Sequence, residues 1–133
     1  MTIQNINNDI TTTKNTIANF VLGKQVIINE HNLILRVVEF LFSPSCADHL
    51  KIQIKHGGKV ILPDVSVLDT RKMINEGNRP TNYIKSHSSV LPLQLYLYEE
   101  LNHGDKLEVW YKNNDVHYDH NFRVIYVISR KRL

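Results

Sequence analysis

Three runs in the back half of the chain alternate strictly between apolar and other residues, and this period constrains the fold more than any other feature. Leu91, Leu93, Leu95 and Leu97 share one face of the segment Val90–Tyr98. Leu107, Val109 and Tyr111 do the same in Lys106–Lys112, as do Phe122, Val124, Tyr126 and Ile128 in Phe122–Ile128. A period of two belongs to strands with one face on a core, so the expected scaffold is all-β and antiparallel. Leu93, Leu95, Leu107, Val109, Val124 and Tyr126 are the expected common core.

Upstream, Leu33–Phe42 is a run of Leu, Ile, Val and Phe bounded by His31-Asn32 and Ser43-Pro44, and its β-branched and aromatic content predicts a strand. His49–His56 alternates Leu50, Ile52 and Ile54 with Lys51, Gln53 and Lys55, and Gly57-Gly58 then leads into Lys59–Leu62. Paired glycines supply the positive φ angles of a two-residue hairpin. Ile17–Leu22 and Lys24–Asn29 read as two apolar segments broken at Gly23. Ser66-Val67-Leu68-Asp69 has the form of a helix start, which predicts a short helix over Val67–Asn75, and Tyr83–Lys85 reads as a short strand. Residues 1–16, rich in Asn and Thr, have Ile3, Ile6 and Ile10 scattered among the polar residues. They are expected to form an extended N-terminal arm, with those isoleucines as contact residues, ahead of a single β-sandwich domain over 17–133.

A chain of 133 residues fits one domain, and a domain near this size buries roughly 68% of its unfolded surface. The single cysteine, Cys46, excludes an intrachain disulfide and reads as a buried or idle thiol. The formal charge of +3 is spread along the chain apart from Arg130-Lys131-Arg132, which reads as a solvated terminus. No apolar run approaches the roughly 20 residues of a membrane helix, and the first residues lack a signal-peptide pattern. Neither membrane insertion nor nucleic-acid binding is expected.

The seven histidines raise the question of a metal site. Only His117 and His120 stand close together, with Asp119 and a distant His103 as the remaining donors, and a solvated polar loop is the simpler reading. Glu99-Glu100 reads as an exposed strand end rather than a glycosidase pair. The chain has no Gly-x-Ser-x-Gly, no Gly-x-Gly-x-x-Gly, no phosphate-binding loop and no His-Glu-x-x-His, so neither an enzyme nor a cofactor is expected. Alternation places Tyr96, Tyr98 and Trp110 opposite the apolar faces of their strands. If those strands are neighbours, the three rings form an exposed aromatic strip suited to a saccharide, a base stack or a protein partner.

The segment from Leu101 to Asn113, with Gly104-Asp105 leading into Leu107-Glu108-Val109-Trp110-Tyr111-Lys112, resembles the C-terminal strands of small jelly-roll proteins. The Asn/Thr-rich start resembles the arms of accessory and capsid-associated proteins of viruses and bacteriophages. The resemblance implies a jelly-roll-like β-sandwich serving as a non-enzymatic structural subunit of a virion or other extracellular assembly, made in the cytoplasm without a signal peptide. Expected partners are other protein subunits, including copies of the chain itself. The alternative is a carbohydrate-binding module built on Trp110, Tyr96 and Tyr98.

Overall fold

A computed structural model describes residues 2–63, 75–76, 79–80, 82–87 and 91–131. The strands are β1 (Thr2–Thr12), β2 (Thr16–Ile27), β3 (Leu33–Phe42), β4 (Leu50–His56), β5 (Lys59–Leu62), β6 (Asn75–Glu76), β7 (Arg79–Pro80), β8 (Ile84–Lys85), β9 (Leu93–Leu101), β10 (Lys106–Asn113) and β11 (His120–Arg130). One sheet has the order β1-β11-β3-β9, and the second has β2-β10-β4-β5 with β8 also on β4. Among the described residues, strands β6 and β7 pair with each other alone. With β5 and β8 sharing one position beside β4, first pairs with last, second with second-last, third with third-last, and the middle two with each other. All of these ladders are antiparallel, and the pattern is that of a long hairpin rolled into two sheets, a jelly roll.

Alternation explains the packing. In β11, Phe122, Val124, Tyr126 and Ile128 are buried, and in β10 so are Leu107, Val109 and Tyr111. All of these except Tyr111 close one core with Leu50, Ile52 and Ile54 of β4 and Leu95 and Leu101 of β9. Leu93 and Leu97 are partly buried against it, while Leu91 lies before β9 and is exposed. At the apex of the rolled hairpin, Gly57 and Gly58 have φ of 58° and 85°, as expected for a turn that follows the sheet twist.

Strand β3 runs over Leu33–Phe42 as expected, but its alternation changes parity midway. Leu33 and Leu35 face the core, then Val38, Phe40 and Phe42 do. Arg36 is the extra residue against β11, where Leu35 and Val37 pair with the consecutive Ile128 and Val127; against β9 the register also shifts here, but the extra residue is on β9, with Leu97 and Tyr98 opposite Arg36. A bulge places two residues opposite one, so every side chain beyond it changes face. The outward Arg36 donates from Nε to Ser129 Oγ at 3.0 Å, and its guanidinium lies 5.1 Å from the Tyr98 ring centre.

The start of the chain departs from expectation. Thr2–Thr12 is not a free arm but the edge strand β1, paired along its length with β11. Ile10 is buried and Ile6 packs partly against the core, so Ile10 is not available as a contact residue; the side chain of Ile3 lies outside the described residues. Low apolar content was misleading because an edge strand draws much of its support from backbone hydrogen bonds to its neighbour. Ile17–Leu22 and Lys24–Asn29 are likewise not separate segments, since β2 continues through Gly23 with a shift in its register against β10. A Cβ on Gly23 would stand 3.1 Å from Ile10 Cγ2 and 3.3 Å from Val109 O, so the missing side chain lets the two sheets approach. Residues 67–74 of the expected helix lie outside the described residues, and Asn75 belongs to β6. The short strand near Tyr83 is β8.

Two substitutions test this arrangement by denaturant unfolding. Leu95→Ala should cost about 2–5 kcal/mol, whereas Gln94→Ala on the outer face of β9 should stay within about 0.5 kcal/mol. Gly58→Val should cost roughly 1 kcal/mol or more, because a β-branched residue is strained at positive φ.

Candidate functional site

Among the described residues, the densest group of chemically competent side chains lies at one end of the sandwich, where the β3–β4 and β10–β11 connections meet. The first connection contains a single 3-10 turn, Pro44–Cys46, and ends at His49. The second runs from Asn114 to Asp119, and the register of β10 on β4 sets Asn113 opposite Leu50. The next backbone bond, from Asn114 N–H to His49 O at 2.8 Å, fixes His49 beside the second connection.

Asp115 is the hub. Its Oδ1 accepts the backbone N–H groups of His117 at 2.9 Å and Tyr118 at 3.2 Å, and its Oδ2 lies 2.7 Å from His120 Nε2. His49 Nε2 stands 3.9 Å from the same Oδ2, and the His49 and His120 rings stack with centroids 5.2 Å apart. The hydrogen bond from His117 N–H, then that with His120, holds the Asp115 carboxyl down to about 2. Asp115 is therefore a carboxylate through the whole range in which histidines titrate.

The surrounding bonds keep this geometry. Buried Asn113 donates from Nδ2 to Thr12 Oγ1 and to Tyr118 O, and its Oδ1 accepts the N–H of Asp115 at 2.9 Å. Thr12 Oγ1 donates to His120 O and accepts the His120 N–H. Below the 3-10 turn, Cys46 is fully buried and its thiol donates to Asn121 O, while Ser86 Oγ donates to Cys46 O at 2.6 Å. The thiol is thus a packed, hydrogen-bonded group of the interior.

His120 Nδ1 faces Ser45 Oγ at 3.2 Å, so a hydroxyl, an imidazole and a carboxylate stand in line. Such a line can in principle pass a proton from the hydroxyl to the imidazole. The ring nitrogens are reversed relative to the usual serine-hydrolase order. The Cys46 N–H next to Ser45 is donated to Ser43 O, so it is not free to stabilise an oxyanion.

At the opposite end, His56 joins the sheets. Its Nδ1 lies 2.6 Å from Glu99 Oε2 and its Nε2 lies 3.0 Å from Asp105 Oδ2. Burial alone would lower the imidazole pKa; the hydrogen bonds and charges of Glu99 and Asp105 outweigh it and raise the value above 6.5. Asp105 is lowered first by the Asn102 N–H, then by His56.

Residues singled out in the sequence distribute differently. Tyr96 and Tyr98 are exposed on the outer face of β9, in the first sheet, whereas Trp110 is half-buried on the outer face of β10, in the second. Trp110 lies between Leu22 of β2 and Gln53 of β4 with Lys55 Nζ 4.2 Å from its ring centre, so no common aromatic strip forms. Consecutive strands β9 and β10 enter different sheets, which alternation alone does not indicate. His120 does gather donors, but they are Asp115 and His49 rather than His117, Asp119 and His103. Asp119 accepts the Lys14 N–H, and His103 faces His31 at the far end. His49 was missed because its partners lie far along the chain and meet it only through the β4–β10 register.

The His56 cluster makes the fold pH-dependent. A histidine whose folded pKa is raised contributes stability that is fully present below the unfolded value and is lost as pH rises through the folded one. Wild-type stability relative to His56→Gln should therefore decline as pH rises above 6.5, measured by urea unfolding at a series of pH values. No protein-family model matches the chain, and no curated protein matches it.

Proposed function

We propose that the chain is a non-enzymatic structural subunit that assembles through the open edge of its second sheet, pairing β2 with β2 of another copy. The observation that carries this reading is β2 itself, a strand of 12 residues at the end of its sheet. It exposes Ile17, Val21, Leu22 and Ile27 and contains Lys24 as its one charged residue. Proteins that remain monomeric blunt such edges with short strands, proline or charge. The opposite side of the sandwich has those features, with the four-residue β5 in one sheet and Glu99 and Glu100 on β9 in the other.

A second copy suits this edge because its sequence is compatible with itself. In an antiparallel pair centred between Val21 and Leu22, Ile17 faces Val26 and Lys24 faces Asn19, so no two lysines oppose each other. Strand addition supplies main-chain hydrogen bonds while the exposed apolar side chains leave water. The jelly roll is used by viral capsid proteins among others, and a fold alone does not assign a role. The likeness of Leu101 to Asn113 to small jelly-roll proteins, together with the likeness of the Asn/Thr-rich start to capsid-associated proteins of viruses and bacteriophages, favours a virion as the assembly. The saccharide alternative loses its proposed platform with the separation of Tyr96 and Tyr98 from Trp110.

Sedimentation of the wild type and of Val21→Lys/Leu22→Lys tests the reading. The wild type should associate and the double variant should sediment as a monomer with unchanged circular dichroism. A wild type that is monomeric at every concentration, or a variant that associates equally well, overturns it.

A further inference from the structure

We propose that His49, Asp115 and His120 form a binding site for one divalent transition-metal ion of the zinc class, independent of the assembly edge. One ligand atom from each lies within 4.8 Å of the other two. Zinc bound at about 2.0–2.2 Å in a tetrahedral arrangement holds its donors about 3.3–3.6 Å apart. The separations from Asp115 Oδ2 are 2.7 Å to His120 and 3.9 Å to His49, which bracket that range, so small side-chain rotations suffice.

Two imidazoles and one carboxylate favour zinc and its neighbours over calcium or magnesium, which require several oxygen ligands. The outer partners are also in place. The second oxygen of Asp115 is occupied by two backbone N–H groups, leaving Oδ2 for the ion. When Nε2 of His120 binds the ion, its ring proton resides on Nδ1, where Ser45 Oγ accepts it; this is the hydrogen bond that orients metal-bound histidines. The side chains of His120 and Asp115 are 4% and 12% exposed, whereas that of His49 is 44% exposed. The ion therefore sits at the mouth of the site with its fourth position open to water.

Bound here, the ion links the β3–β4 connection to the β10–β11 connection and closes that end of the sandwich. Chelator-treated full-length protein should bind one equivalent of Zn²⁺ by calorimetry, and one equivalent of Co²⁺ should give the visible absorption bands of a four-coordinate site. His49→Ala, which alters the most exposed ligand, should weaken Zn²⁺ binding at least ~10-fold while circular dichroism is unchanged, and Ser45→Ala should weaken it by about 10-fold. Asp115→Asn provides a second ligand variant, and His117→Ala, which removes a neighbouring exposed imidazole, should bind as the wild type does. The proposal is overturned if the wild type binds no stoichiometric zinc, if folded His49→Ala and Asp115→Asn bind it unchanged, or if His117→Ala abolishes binding.

Discussion

The structure depends on β11 lying between β1 and β3, with its inward side chains forming the middle of the core. Phe122, Val124, Tyr126 and Ile128 reach the interior only in one register, because a shift of one residue would turn all of them to solvent. That register in turn places His120 at one end of the strand, beside Thr12. The same ladder therefore sets the hydrophobic packing and the position of the polar end cluster.

The two ends of the sandwich solve a common problem in different ways. The connections at each end bring polar groups out of the strand ladders and need partners for them. At one end the partners are Asn113, Thr12 and Asp115, which hold a polar loop by side-chain bonds to backbone. At the other, His56 lies between two carboxylates and joins β4 to β9, so the closure depends on a proton. Neither arrangement disturbs the core, which is apolar along the inner faces of the central strands.

Much of the scaffold was legible because burial on one face leaves a period of two. The bounds of β3, the Gly57-Gly58 turn and the inner faces of β10 and β11 were accessible in this way. What the pattern concealed has identifiable causes. Arg36 lies within a run so apolar that both parities look alike, and the bulge that separates them leaves no compositional mark. Gly23 resembled a break although its role is to admit Ile10. The arm expectation weighed apolar content and ignored the hydrogen bonds that β11 offers to β1. The end cluster was half legible: His120 stood out by its neighbour His117, whereas His49 and Asp115 join it through pairing across the sheet.

The pairing of β1 with β11 also has a consequence for biosynthesis. Thr12 and His120, joined by hydrogen bonds through Thr12 Oγ1, are separated by 108 positions. At roughly 5–20 residues per second, the ribosome needs about 5–20 s to supply that partner after Thr12 has been made. Through that interval β1 has no ladder to join in its own sheet, while β2 waits nearly as long for β10. The nascent chain therefore presents two sticky strands on the polysome, where neighbouring nascent copies are the nearest competitors for them.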